Sequence, residues 1–270
     1  MSTTLRVSLA LIVGLCPTLL WAQTVQVEGS LSRTLTLDAG GHAEGSIALR
    51  NVDAQVGNVR AYQTDYRFDA TGNAWYDAPG TQPRSNANWI SVTPRVLSVA
   101  PGEQAAISYV VQVPKDETLS GTYWSVIMVE PDSAPAAPLD ANGKRIAVGI
   151  RTVFRYAIQI SVQIGRTGKA DLQFADKRLV RQEGKCLLQI EVNNTGEQAL
   201  QPTVWSEFYA AEGGKLAKRV ESQRLRLYPG CAGRFQLDLT DLPAGQYESL
   251  IVADNDDENV FGARYSLEIQ

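Results

Sequence analysis

The chain has 270 residues, with 25 Lys and Arg against 29 Asp and Glu, one His, and a formal net charge of −4. That balance offers no basic footprint for nucleic acid. A single histidine with no Cys-x-x-Cys pair leaves no ordinary zinc-ligand set.

Residues 1–22 read as a signal peptide. Arg6 supplies a positive start, residues 7–21 form an apolar run, and Ala22 places a small residue before the cut. The run falls short of the roughly 20 apolar residues of a membrane span, and Pro17 interrupts it. No later run is long enough, so stable membrane insertion is not expected. Leu15 before Cys16 argues against lipidation there.

Beyond residue 22 no helical stripe is sustained. Short period-two runs alternate with Pro, Gly, Asn and Asp, the pattern of an all-β chain. Strands are predicted near 25–38, 43–51, 58–68, 88–98, 103–113, 121–130 and 145–163. A second set falls near 170–180, 186–193, 202–210, 221–228, 232–240, 246–253 and 260–269. Seven strands per half predict two tandem immunoglobulin-like β-sandwich domains, 23–164 and 165–270. The boundary falls at Gly165–Lys169. Within strands the faces separate. Ile107, Tyr109 and Val111 share one face of the first half, and Phe235, Leu237 and Leu239 share one of the second.

An internal repeat supports two copies. Val99–Ala100–Pro101–Gly102 and Leu227–Tyr228–Pro229–Gly230 each precede an alternating strand. Gly121–Thr122–Tyr123 and Gly245–Gln246–Tyr247 each follow one, and the Gly-x-Tyr step resembles a tyrosine corner. Trp205 is placed in the core of the second half.

The run 145–164 is long for one strand and alternates throughout. Ile146, Val148, Ile150, Thr152, Phe154, Tyr156, Ile158, Ile160, Val162 and Ile164 share one face. Twenty residues would span roughly 65 Å, so a bend into the interdomain corner is expected. The Pro/Ala-rich stretch 131–144 before it reads as an exposed loop.

Little in the chain suggests catalysis. His42 sits in a turn, no serine shows a nucleophile-elbow context, and no phosphate loop is present. Asp254–Glu258 reads as a solvated hairpin rather than a calcium loop. No metal or cofactor is expected, and the chain is not read as an enzyme. Cys186 and Cys231 remain after the signal peptide, and an oxidising compartment allows a disulfide between them. Their predicted places at the starts of neighbouring antiparallel strands put them at opposite ends, so two buried unbridged thiols are the alternative.

Several segments resemble a known family. Ile90–Ser91–Val92–Thr93–Pro94 with Leu97 and Pro101–Gly102, Tyr123–Pro131, and Leu31–Ser32–Arg33–Thr34 are similar to the PapD-like periplasmic chaperones of pilus assembly. The family's aromatic–basic–Pro ending of the first domain's last strand is met here by Phe154–Arg155–Tyr156, without the proline. Gly121–Thr122–Tyr123 is also similar to Ig-like proteins that accompany WxL surface proteins. The resemblance implies a soluble periplasmic protein that caps secreted or pilus-like subunits by edge-strand addition, with an outer-membrane usher as a further partner. It implies that Arg33, with Arg151 or Arg155, anchors a subunit's terminal carboxylate. Val148, Ile150, Thr152, Val153, Phe154 and Tyr156 are the expected edge-strand contacts. The other readings are a non-catalytic structural or adhesive envelope protein, and a carbohydrate-binding sandwich using Tyr62, Tyr66, Trp75 and Tyr76.

Overall fold

The computed structural model describes residues 25–131 and 154–269. The strands of the first half are β1 Val25–Glu28, β2 Ser32–Leu37, β3 His42–Asn51, β4 Gly57–Phe68, β5 Ala74–Asp77, β6 Ile90–Thr93, β7 Val96–Val99, β8 Gln104–Gln112, β9 Gly121–Pro131 and β10 Tyr156–Ile164. Those of the second are β11 Leu172–Gln182, β12 Lys185–Asn194, β13 Thr203–Ala210, β14 Leu216–Glu221, β15 Ala232–Asp238, β16 Gly245–Asp254 and β17 Val260–Ile269.

The fold is all-β. One sheet orders β1-β3-β8-β6, and another orders β2-β10-β9-β4-β5 with β7 also on β4. Between them lies a core that includes Ile47, Leu49, Ile107, Val111, Ile127, Ile158 and Ile160, each fully buried. The remaining sheets are β11-β12-β15 and β14-β13-β16-β17. They enclose a second core built around Leu188, Val204, Phe208, Phe235, Leu237 and Ile251. Among the described residues no sheet contains strands from both sides of residues 165–171.

The sequence repeat has a structural counterpart. Asn51 ends β3 and Asn194 ends β12, both buried. Asn51 Nδ2 donates to the carbonyls of Gln55 and Val99, at 2.7 and 2.8 Å. Asn194 Nδ2 donates to those of Gln198 and Leu227, both at 2.8 Å. Each Oδ1 accepts the backbone N–H two residues on. Gly102 and Gly230, the glycines of the two Pro–Gly turns, donate to the Asn51 and Asn194 carbonyls. The second Gly-x-Tyr step also forms the expected corner, with Tyr247 Oη donating to Pro243 O at 2.9 Å. Tyr123 instead packs its ring on Trp89, with Arg84 over it.

Several strand expectations change. The predicted 25–38 strand breaks at Gly29, whose φ of +88° suits glycine, and its two parts join different sheets. Likewise 88–98 splits at Pro94 into β6 and β7, in different sheets. The strand expected at 221–228 lies earlier, at Leu216–Glu221, and β5 was not anticipated. Trp205 is half-buried on the outer face of β13 under the Arg219 guanidinium, 4.2 Å from its ring centre. Val204, Ser206 and Phe208 take the inward positions.

The largest correction concerns β10. It is not a border strand along its length. On one side it pairs antiparallel with β9 from Tyr156 to Ile164, and on the other it pairs parallel with β2 from Gln159 to Ile164. The border of this sheet is β2. Residues 156–158 lie beyond the β2 pairing, whose first register pair is Gln159–Ser32.

Candidate functional site: the cleft between the two halves

The outward face of the β2-β10-β9-β4 sheet meets the second half through an aromatic and polar contact. Tyr228 precedes the Pro229–Gly230 turn, at the place Ala100 takes in the first copy. Its ring stacks on Trp124, with centroids 4.7 Å apart and planes within 8°. Phe68 meets it edge-on at 6.4 Å, and its hydroxyl donates to Gln159 Oε1 at 2.9 Å. Trp124 Nε1 is satisfied by Tyr66 O at 2.7 Å. Stacking of this kind adds about 0.5–1.5 kcal/mol beyond the area buried. Cys231 closes the cluster. Burial pushes the Tyr66 phenol up to about 12 and raises Tyr228 and the Cys231 thiol as well.

A second contact lies at the β9 start. Thr122 N donates to Glu197 O and Ala199 N to Thr122 Oγ1, both at 2.8 Å. The Glu197 carboxylate pairs with Arg84 at 3.1 Å and accepts Lys169 N at 3.1 Å. The backbones approach so closely that a Cβ on Gly121 would stand 2.2 Å from Glu197 O, and Gly121 has φ +71°. Only glycine fits there.

Arg226 was missed by sequence reasoning. It sits half-buried in the cleft, its Nη1 donating to Ser32 Oγ at 3.1 Å and Thr34 Oγ1 at 2.9 Å, and its Nη2 to Gln201 Oε1 at 3.3 Å. It lies between two strands, so no periodicity marks it. Pairing to the first half is a long-range fact that local sequence does not carry.

The anticipated anchors fall as follows. Arg33 lies on β2 opposite Ile160. Its guanidinium donates back to the carbonyls of Ser30 and Ser32. Arg155 lies just before β10 and pairs with Glu130 at 3.0 Å. Glu130 also takes Arg60 at 3.2 Å and the Tyr62 hydroxyl at 2.9 Å. Its carboxyl is held below the usual range, these partners outweighing its burial. Along the strand Arg33 and Arg155 are separated by roughly 17 Å at ~3.3 Å per residue, so each is engaged in its own corner. Arg151 lies outside the described residues, as do Val148, Ile150, Thr152 and Val153. Phe154 is described and is 50% exposed, while Tyr156 is half-buried opposite Val129.

Cys186 and Cys231 are free thiols, which corrects the disulfide reading. Cys186 is one residue before Leu187, which pairs with Asp238, and Cys231 precedes Ala232, which pairs with Asn193. The thiols stand at opposite ends of one strand pair, far beyond the ~7 Å Cα separation a bridge tolerates. The aromatic residues of the sequence reading have these places, with Tyr76 47% exposed. Tyr62 binds Glu130, Tyr66 stacks on Tyr76, and Trp75 lies under Arg67. Among the described residues no group of three or more His, Cys, Asp or Glu could hold a metal ion.

No family model and no curated protein matches the sequence. Solved structures do match the fold. A chain from a chaperone–tip adhesin complex of CFA/I fimbriae biogenesis is 12% identical, with 90% of this chain and 97% of that one covered and a TM-score of 0.48. The class 5 fimbriae chaperone CfaA is 11% identical, with 89% and 98% covered and a TM-score of 0.46. The Pseudomonas aeruginosa CupB2 chaperone is 14% identical, with 90% and 100% covered and a TM-score of 0.42.

Proposed function

We propose that this protein is a non-catalytic periplasmic chaperone of two immunoglobulin-like domains, 23–164 and 165–270, that caps a secreted or pilus-like subunit by strand addition. One observation carries the reading. Ile158, Ile160, Val162 and Ile164 point from β10 into the first core and are buried. The same row continues backwards through Tyr156, Phe154, Thr152, Ile150, Val148 and Ile146. On the β2 side the pairing reaches back only to Gln159. An apolar row that continues in the sequence past the β2 pairing suits a partner's unfinished core, while backbone N–H and C=O groups supply the ladder. Natural sheets ordinarily protect such a border with charge. Here the charges, Arg151 and Arg155, lie on the opposite row.

Arg33, Arg151 and Arg155 are the alternative proposed grips for a client's terminal carboxylate, which a planar guanidinium binds through both oxygens; Arg33 and Arg155, roughly 17 Å apart along the strand, would not share one. Arg155 would exchange its bond to Glu130 for the client. An usher is the expected downstream partner.

The test is co-purification of exported clients from the periplasm with wild type, with Val148→Asp/Ile150→Asp on the apolar row, and with Ala147→Asp on the opposite row. Loss of a β-rich client in the double variant alone is expected. Equal recovery in all three would refute strand addition. Arg33→Glu, Arg151→Glu and Arg155→Glu test the anchors in the same assay. Undiminished recovery in all three removes the carboxylate grip.

A further inference from the structure

The second copy of the fold leaves open a border that the first copy closes. β10 and β17 are the last described strands of their halves, and each pairs antiparallel with the strand before it. The far side of β10 is taken by β2, which lies parallel to it from Ser32 to Leu37. β2 reaches that place because the chain breaks at Gly29 and crosses to the other sheet. β11 contains no glycine. It stays on β12 from Leu172 to Gln182, so β17 is a border along its whole length.

That border lacks the usual protection. Sheet edges are ordinarily kept short, bulged or studded with charge. The border strands of the first half run to six residues or fewer. β11 carries Asp176, Lys177, Arg178 and Arg181, with a register shift between Phe174 and Asp176. β17 has ten residues, no proline, and an unbroken register against β16. Phe261, Tyr265 and Leu267 on its inner row are only partly buried against the second core. Its two charges, Arg264 and Glu268, are exposed on the outer row and make no ion pair among the described residues.

We propose that β17 is an interface between two copies of this chain, paired antiparallel about a two-fold axis beside Ser266. Arg264 and Glu268 stand four residues apart, roughly 13 Å along a strand, so they cannot meet within one copy. Antiparallel pairing centred on Ser266 sets Arg264 of each copy opposite Glu268 of the other. The same register sets Tyr265 against Leu267 on the inner row. Centring on Arg264 or on Glu268 would instead oppose like charges. An isologous contact needs a surface that complements itself, and this register supplies one. It joins the two β14-β13-β16-β17 sheets into one continuous sheet. The contact lies in the second half and does not rest on the chaperone reading.

Sedimentation equilibrium of the purified chain tests the proposal, with dimerisation expected for wild type. Arg264→Glu and Glu268→Arg each oppose like charges twice and should weaken the dimer by about tenfold or more. Neither removes an ion pair within the chain. Arg264→Glu/Glu268→Arg restores both pairs and should dimerise like wild type. An equimolar mixture of the two single variants should form the mixed dimer, one copy then supplying both carboxylates and the other both guanidinium groups. With oxidised glutathione, Ser266→Cys should give a covalent dimer. Gly262→Cys, on the same row but away from the axis and with room for its side chain, should not. Glu221→Arg on the opposite border, β14, should leave the dimer unchanged. So should Val148→Asp/Ile150→Asp, and loss of the dimer in that variant would move the contact to the first half and overturn the proposal. A chain that stays monomeric at about 100 μM, or a dimer that both single charge variants leave intact, also overturns it.

Discussion

Asp65 shows how much one side chain organises. It is 1% exposed and sits on β4, away from any salt-bridge partner among the described residues. Its carboxylate accepts the backbone N–H groups of Gly80, Thr81 and Gln82 at 3.1, 2.8 and 2.7 Å, and the hydroxyls of Thr81 and Ser85. Oriented N–H dipoles thus take the place of a counter-ion. The loop so held delivers Arg84 to Glu197 and Asn86 to the core, where its amide donates to Tyr123 O and Ile160 O. Asp65→Ala strands those donors and should cost about 3 kcal/mol. Asp65→Asn should cost less, since one oxygen still accepts. Urea unfolding of both variants checks the order, and an alanine variant within about 0.5 kcal/mol of wild type would contradict this account of the loop.

At the level of elements, the two asparagine clamps repeat one another contact for contact. Each ties the end of its strand, β3 or β12, to the Pro–Gly turn ahead of β8 or β15. Asn51→Ala and Asn194→Ala should each cost about 1–3 kcal/mol, because each leaves two carbonyls and one N–H without their partner. The sites lie in separate cores, so the double variant should show additive losses in denaturant titration. A strong departure from additivity would mean that the copies unfold as one structure. The Pro–Gly half of this repeat is legible in the sequence because turn chemistry is local. Its asparagine half is not, because an Asn at a strand end reads as an ordinary turn residue until its amide is seen to reach a distant carbonyl. The same limit explains β2 and β10. Alternation correctly places Ile158, Ile160, Val162 and Ile164 on one buried row, but periodicity says nothing about the neighbour on the hydrogen-bonding side. That neighbour is a parallel strand more than a hundred residues earlier in the chain. Trp205 fails for a related reason. Its size suggests burial, while its parity, odd beside the buried Val204 and Phe208, puts it outside. Arg226 belongs to no strand at all, so its place in the cleft follows only from how the halves meet.

For the whole molecule, the junction between the halves carries a titratable liability. Tyr228 and Cys231 sit in one buried cluster with Trp124, and Tyr66 packs against it. Burial disfavours the ionised form of each group, holding Tyr66 at about 12 and raising the other two above their ordinary values. In the unfolded chain a phenol releases its proton near pH 10 and a thiol near about pH 8.5. The folded state therefore binds more protons than the unfolded state in the alkaline range, and stability falls as pH rises. The stabilisation is complete below the unfolded values and is lost progressively as pH climbs toward the folded ones. Unfolding midpoints in urea should stay level from about pH 7 to about pH 8 and then decline. The steepest loss should coincide with tyrosinate absorbance and with a red shift of tryptophan emission as the Trp124 stack opens. Tyr66→Phe keeps the ring contacts and removes the proton, so its decline between pH 10 and the alkaline limit should be shallower than wild type. Should the wild-type midpoint stay flat through that range, or should Tyr66→Phe follow wild type throughout, the junction is not the element that alkali attacks.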